Sequence, residues 1–205
     1  TETPRQRRRL PLSQAEPEPR LTLLNLTGKA GSSTSMRPPQ NGVIYPGLAQ
    51  RMSAGRGILH SEKNDSWNLG GEKHTQPVHF VQMWVVPDET GRNPQYQQLE
   101  IDRELLAGDL ITIASGMPAH RNDAAITLGN RYAALHGARL QAGDTVELPD
   151  APYLHVFAAR GAVALEDEGD LHAGDAARIT AAGGQRLIAN GAAEVLVWEM
   201  HARVA

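Results

Sequence analysis

From Gln40 onward the chain is a succession of short β-rich runs, each closed within a few residues by a turn-forming pair such as Pro-Gly, Gly-Asp, Pro-Asp or Asn-Gly. Turns at this spacing predict a sandwich or barrel of many short strands. The clearest runs are 77–87 (PVHFVQMWVVP), 109–116 (DLITIASG), 153–166 (YLHVFAARGAVALE) and 193–200 (AEVLVWEM). Residues 77–86 alternate as a half-buried strand does, with Val78, Phe80, Gln82 and Trp84 on one face. Residues 124–136 are rich in alanine, but Gly129-Asn130 interrupts any helix there. The coarse reading is strands throughout, an all-β fold.

An internal repeat sharpens it. Residues 44–62 (IYPGLAQRMSAGRGILHSE) align with 171–189 (LHAGDAARITAAGGQRLIA). Pro46-Gly47 falls on Ala173-Gly174, Arg51 on Arg178, Ala54 on Ala181 and Gly57 on Gly184. Each copy reads as turn, strand, Gly-rich turn and second strand, so a duplicated β domain is expected.

Residues 1–40 differ from the rest. They contain Pro4, Pro11, Pro17, Pro19, Pro38 and Pro39, a basic cluster at 5–9 and a Gly/Ser stretch at 28–35. Only 20–26 (RLTLLNL) reads as a strand. The expected organisation is a flexible tail over 1–15, a first unit over 16–93 and a second over 94–205.

Composition removes several function classes. With no cysteine, disulfides, thiolate metal sites and cysteine nucleophiles are excluded, and a reducing cytoplasm suits the chain. A net charge of −3 gives no electrostatic reason for nucleic-acid binding, and the basic cluster at 5–9 reads as solvated charge. No apolar run approaches the roughly 20 residues of a membrane helix. Motifs for hydrolases, nucleotide-binding loops, dinucleotide folds and HExxH zinc sites are all missing from the sequence.

The candidate chemistry lies in the first repeat, on a strand read as Ile58-Leu59-His60-Ser61-Glu62. Residues two apart share a face, so His60 and Glu62 project together. An imidazole and a carboxylate so placed can supply two ligands to one divalent metal, or form a hydrogen-bonded pair without chemistry. In the second repeat these positions hold Leu187 and Ala189, neither a ligand, which assigns any metal site to the first unit and leaves the second without one. His74, in the loop before residue 77, and His79, on the face opposite Gln82, are candidate third ligands. His120, His136, His155, His172 and His201 share no ligand spacing and read as surface or hydrogen-bonded residues.

The stretch Gln50 to Glu62, QRMSAGRGILHSE, closely resembles the pirin-family motif around its His-Ser-Glu triplet. Asn64, Gln82 with Trp84, Pro87, and Pro94 with Tyr96 follow as family landmarks, and the likeness runs from about residue 40 to the C-terminus. The second half is similar to bacterial pirin-like proteins named quercetin 2,3-dioxygenases. The resemblance implies two tandem cupins and one metal in the first, held by three histidines and a glutamate. Iron is the first expectation, with nickel or manganese next. His60 and Glu62 match two of the four ligands. The family's other two come from an upstream HxH motif, but no histidine precedes His60 here, and Glu16-Pro17-Glu18 occupies that neighbourhood. Three readings stay open: Glu16 and Glu18 replace the histidines, the site is lost, or residues 1–40 are not the family's first-cupin sequence. Incomplete metal occupancy is therefore expected. The implied activity is flavonol dioxygenation, with a flavonoid-like aromatic substrate, dioxygen, and Glu62 as general base. The alternative is a metal-deficient pirin-like module acting through a protein partner.

Overall fold

The computed structural model describes residues 22–29, 32–36, 40–64 and 79–202. Its first strands are β1 (Thr22–Lys29), β2 (Ser32–Met36), β3 (Gln40–Ile44), β4 (Leu48–Ser53), β5 (His60–Asn64), β6 (His79–Val85) and β7 (Gln95–Glu100). After the single-turn helix α1 (Asp102–Leu105) come β8 (Ile111–Ser115), a 3-10 turn at Pro118–His120, β9 (Ile126–Thr127), β10 (Ala133–Leu140) and β11 (Thr145–Glu147). The remainder is β12 (Ala151–Arg160), β13 (Ala162–Leu165), β14 (Gly169–His172), β15 (Ala176–Ala182), β16 (Arg186–Ala189) and β17 (Ala193–Met200).

The expected all-β fold is observed, with several departures in detail. Within residues 1–40, where only 20–26 read as a strand, β2 also forms in the Gly/Ser stretch. The 153–166 run is two strands, because Gly161 turns the chain at φ 68° and a Cβ there would meet the Ala192 carbonyl oxygen at 2.2 Å. The α1 turn is also unforeseen. Ile101 and Leu105 anchor it in the core, and four residues are too few to show a helical period.

Pairing is antiparallel except between β8 and β9. The sheets run β6-β1-β4-β7, β3-β2-β5, β15-β12-β17-β10-β8-β9 and β11-β16-β13-β14. Their order makes the duplication explicit. In the first half β1 lies between β4 and β6 while β2 lies between β3 and β5; in the second, β12 lies between β15 and β17 while β13 lies between β14 and β16. Strands β1 to β6 thus recur as β12 to β17. The repeat's turns agree too, since Gly47 and Gly174 both take positive φ, as do Gly57 and Gly184. The additions differ. β7, on the second-unit side of the expected boundary, pairs with β4 of the first. β10, β8 and β11 extend the second copy beside β17 and β16, and among the described residues nothing corresponds to them beside β6 and β5.

Alternation along each strand sorts side chains between two cores. Leu154, Val156, Val195, Val197, Val163 and Leu187 fill the space between the second copy's two sheets. The opposite face of its larger sheet, with Ile113, Leu135 and Leu196, packs against Ala49, Val81, Met83 and Val85 of the first sheet. That apolar layer joins the copies. It uses the odd-numbered face of β4 and β6 and leaves the even-numbered face, with Phe80, Gln82 and Trp84, turned toward the interior of the first copy.

Candidate functional site

The turn before β5 dictates where the first-copy site begins. Gly55 sits at φ 55°, and a Cβ there would stand 2.3 Å from the Arg92 carbonyl oxygen, so glycine is required. The Gly57 amide donates to Ala54 O at 2.8 Å to close the turn. The strand therefore starts at His60 and not at Ile58, which packs with Met52 and Tyr96 instead. His60 and Glu62 share one face of β5, paired in register with Met36 and Thr34. Gln82 Nε2 donates to Glu62 Oε2 at 3.4 Å, which directs that face toward the even-numbered face of the first sheet. Tyr96 lies in the same field. Burial, and then the negative charge of Glu62, push its phenol above the usual range, and its hydroxyl donates to Gln98 Oε1 at 2.7 Å.

Gln50 belongs to this face. It is paired in register with Asn25 on one side and Gln98 on the other, and Asn25 is paired in turn with Gln82. Its side chain is 1% exposed, and neither amide atom has a hydrogen-bond partner. An unsatisfied buried amide costs about 1–3 kcal/mol, so Gln50 presents a polar group suited to a ligand or water.

Of the remaining candidates, the one that is described does not join His60 and Glu62. His79 points to the opposite face of β6, where its Nδ1 lies 3.4 Å from Arg160 of the second copy. His74, Glu16 and Glu18 lie outside the described residues. Among the described residues, no third His, Cys, Asp or Glu joins His60 and Glu62 within metal-ligating range. His60 is exposed and Glu62 half-buried.

A second group, missed in the sequence, stands in the second copy. Ligand atoms of His120, His136 and Glu199 lie within 4.8 Å of one another. His136 Nε2 is 2.7 Å from Glu199 Oε2, and His201 Nε2 is 2.7 Å from Glu199 Oε1. Thr112 Oγ1 meets His136 Nδ1 at 3.2 Å, and Ser115 Oγ meets His120 Nδ1 at 3.1 Å. His136 and Glu199 are each 5% exposed. Burial pushes the Glu199 carboxyl up, but hydrogen bonds from His136 and His201, with the nearby His136 and His120, outweigh it and hold the carboxyl below its usual range. The sequence expectation was a second unit without ligands; three elements that share no spacing bring these donors together.

A family model described as Pirin matches residues 28–85, which run from the end of β1 through the glycine turn and the His60–Glu62 strand to the end of β6. Over these residues the chain carries the pirin-family pattern. A protein of Mycobacterium tuberculosis named "Putative quercetin 2,3-dioxygenase" is 60% identical over 164 residues, 80% of this chain and 64% of the relative. A protein of Zymomonas mobilis carrying the same description is 31% identical over 138 residues, 66% of this chain and 54% of that one. The chain thus spans less than two thirds of the curated relatives it matches. In structure it is similar to the bacterial pirin YhhW of Escherichia coli in complex with nickel(II), with a TM-score of 0.74 at 20% identity over 92% of this chain and 76% of that one. It is also similar to a quercetin 2,3-dioxygenase of Acinetobacter baumannii, with a TM-score of 0.67 at 23% identity over 88% and 65%. At such identities these two likenesses concern the fold, and they match the two-cupin architecture of pirins.

A cleft of about 650 Å³ opens elsewhere. It is lined by Arg51, Ser53, Gln95 and Gln97 on the odd-numbered face of the first sheet, and by Thr127 and Leu128 of the second half. Because His60 and Glu62 address the other face, the cleft is not their substrate pocket. Arg51 is buried there, donating to Ser53 Oγ at 3.3 Å and Gln95 Oε1 at 3.4 Å, and burial lowers its pKa.

Proposed function

We propose that the chain carries out quercetin 2,3-dioxygenase-type chemistry in its first copy, acting on a flavonoid-like hydroxylated aromatic molecule with dioxygen. The observation that carries this reading is the polar face of the first copy. His60, Glu62, Gln82 and the unpartnered Gln50 stand where the second copy's register has Leu187, Ala189, Val197 and Ala177. The names of the 60%-identical mycobacterial relatives support it, as does the nickel bound by the bacterial pirin neighbour.

The donor types suit a divalent metal of the iron, nickel or manganese group, with His60 and Glu62 as ligands. Two donors do not complete such a site; Glu16, Glu18 and His74, all outside the described residues, are the candidates for the remaining ligands. When bound, the metal supplies Lewis acidity toward a substrate hydroxyl. The chain's own residues act around it. Glu62, oriented by Gln82, accepts the proton of that hydroxyl. Phe80 and Trp84, exposed on the same face of β6, offer aromatic surface to a planar ring. Tyr96, kept protonated, stays a hydrogen-bond donor beside Glu62.

The test is quercetin turnover by the metal-loaded chain, with carbon monoxide as the diagnostic product. Glu62→Gln is expected to lower kcat at least about 100-fold, the scale of a lost general base. Parent-level turnover in that variant refutes the assignment of Glu62. Turnover at the buffer rate in a fully loaded parent chain favours the second reading, a pirin-like module acting through a protein partner. One observation speaks for that reading: among the described residues no group of three donors forms in the first copy.

A further inference from the structure

The group in the second copy lies outside the proposed reaction. We propose that His120, His136 and Glu199 form a separate cation site that takes one borderline divalent transition-metal ion, of the iron, nickel or zinc class. Two imidazoles and one carboxylate suit such ions, and the three ligand atoms already lie within 4.8 Å of one another.

Two further features support the site. The first is orientation. The Nδ1 of each imidazole is engaged by a hydroxyl, Thr112 for His136 and Ser115 for His120, leaving each Nε2 as the nitrogen available to a metal. Ser115 is itself fixed, its Oγ accepting the Met117 amide proton at 3.0 Å. Hydrogen bonds of this kind set the tautomer and ring angle of metal-binding histidines.

The second is charge. Glu199 is paired in register with Ala134 on one side and Leu154 on the other, both almost fully buried. A carboxylate between such neighbours needs a cation. A proton shared with His136 or His201 supplies one, and a metal replaces it, releasing that proton to solvent. Bonds of about 2.1 Å place tetrahedral donors about 3.4 Å apart, so the most separated donors close by roughly 1.4 Å at most while the 2.7 Å contact between His136 and Glu199 opens to admit the ion. The short 3-10 turn at Pro118–His120 carries the least buried of the three donors. His120 is half-buried and His201 exposed, which gives the ion a route from solvent and a fourth nitrogen at the rim.

The experiment uses the full chain, stripped with chelator, in a His60→Ala/Glu62→Gln background that removes the first-copy donors. Calorimetric titration with Ni²⁺ and Zn²⁺ is expected to show one equivalent bound with proton release that increases as the pH is lowered. His120→Ala, added to that background, is expected to weaken binding at least about tenfold. The same variant leaves the His136–Glu199 contact in place, so its metal-free unfolding midpoint should match that of the background. Co²⁺ offers a direct readout, a visible d–d absorption present in the background and lost with His120→Ala. No binding in the background, or equal affinity with and without His120, overturns the site.

Discussion

The two copies share strand order and register but differ in what their interiors hold. Asn25, between Gln50 and Gln82 in the first copy, corresponds to Val156, between Ala177 and Val197, in the second. His60 and Glu62 correspond likewise to Leu187 and Ala189. The second copy has filled its centre with aliphatic side chains, each fully buried leucine or valine contributing about 1.5–3 kcal/mol. Its polar group sits farther along, on Glu199, whose register counterpart is Trp84, and on His136 of β10 and His120 of the 3-10 turn, neither element having a counterpart among the described residues of the first copy. One duplicated scaffold has thus put its polar atoms in two different places. The first copy keeps them central and open, with Trp84 60% exposed, and the second keeps them buried and mutually bonded.

The largest effect expected from this contrast is on stability. Glu199→Ala removes the acceptor of two histidines at a nearly closed position and should cost about 3 kcal/mol, the scale of a broken buried pair. His60→Ala, on an exposed position, should stay within about 0.5 kcal/mol. Urea unfolding of both variants, with chelator present, measures the difference. Equal costs would dissolve the distinction between a working interior and a structural one.

A smaller effect, of opposite sign, is expected at Gln50. Replacing it with methionine keeps the volume and removes an unpartnered buried amide, so the metal-free chain should gain about 1–2 kcal/mol. The mirror change, Ala177→Gln, brings a polar group to the second copy's apolar centre and should destabilise. If Gln50→Met destabilises instead, the amide is already satisfied in solution, and the polar row is not waiting for a ligand.

How much of this was legible in the sequence follows from the range of the interactions. The duplication was readable because turn glycines at positive φ leave local marks: Gly47 and Gly57 have counterparts in Gly174 and Gly184. His60 and Glu62 were readable because two residues apart on one strand means one face. The start of their strand was misplaced because Ile58 suits a strand by type, yet it leaves the Gly55–Gly57 turn to pack with Met52 and Tyr96. On β6 the alternation was plain. Which face is buried was not, since Phe80 and Trp84 look as apolar as the Val81 and Met83 that actually join the copies. The group of His120, His136 and Glu199 was illegible for a stronger reason. It depends on β10 lying between β8 and β17, an order that no spacing along the chain encodes.

The smallest effect expected is on pH dependence, and it too belongs to the second copy. His155 is held below the usual histidine range by burial and then by the charge of Arg178, its register partner on β15. Glu199 is also depressed, from a reference of 4.5. For each, the unfolded chain binds a proton at a pH where the folded chain does not, so stability rises with pH across its window. The His155 contribution is complete above its unfolded value near 6.5 and is lost as the pH falls through the folded value. Glu199 acts similarly, beginning lower, near 4.5. Urea midpoints of the chelated chain should therefore fall in two steps on acidification. His155→Gln should flatten the upper step, and Glu199→Gln the lower. If the upper step survives in His155→Gln, acid sensitivity does not originate where the second copy's larger sheet faces the first, and the first copy's exposed histidines become the place to look.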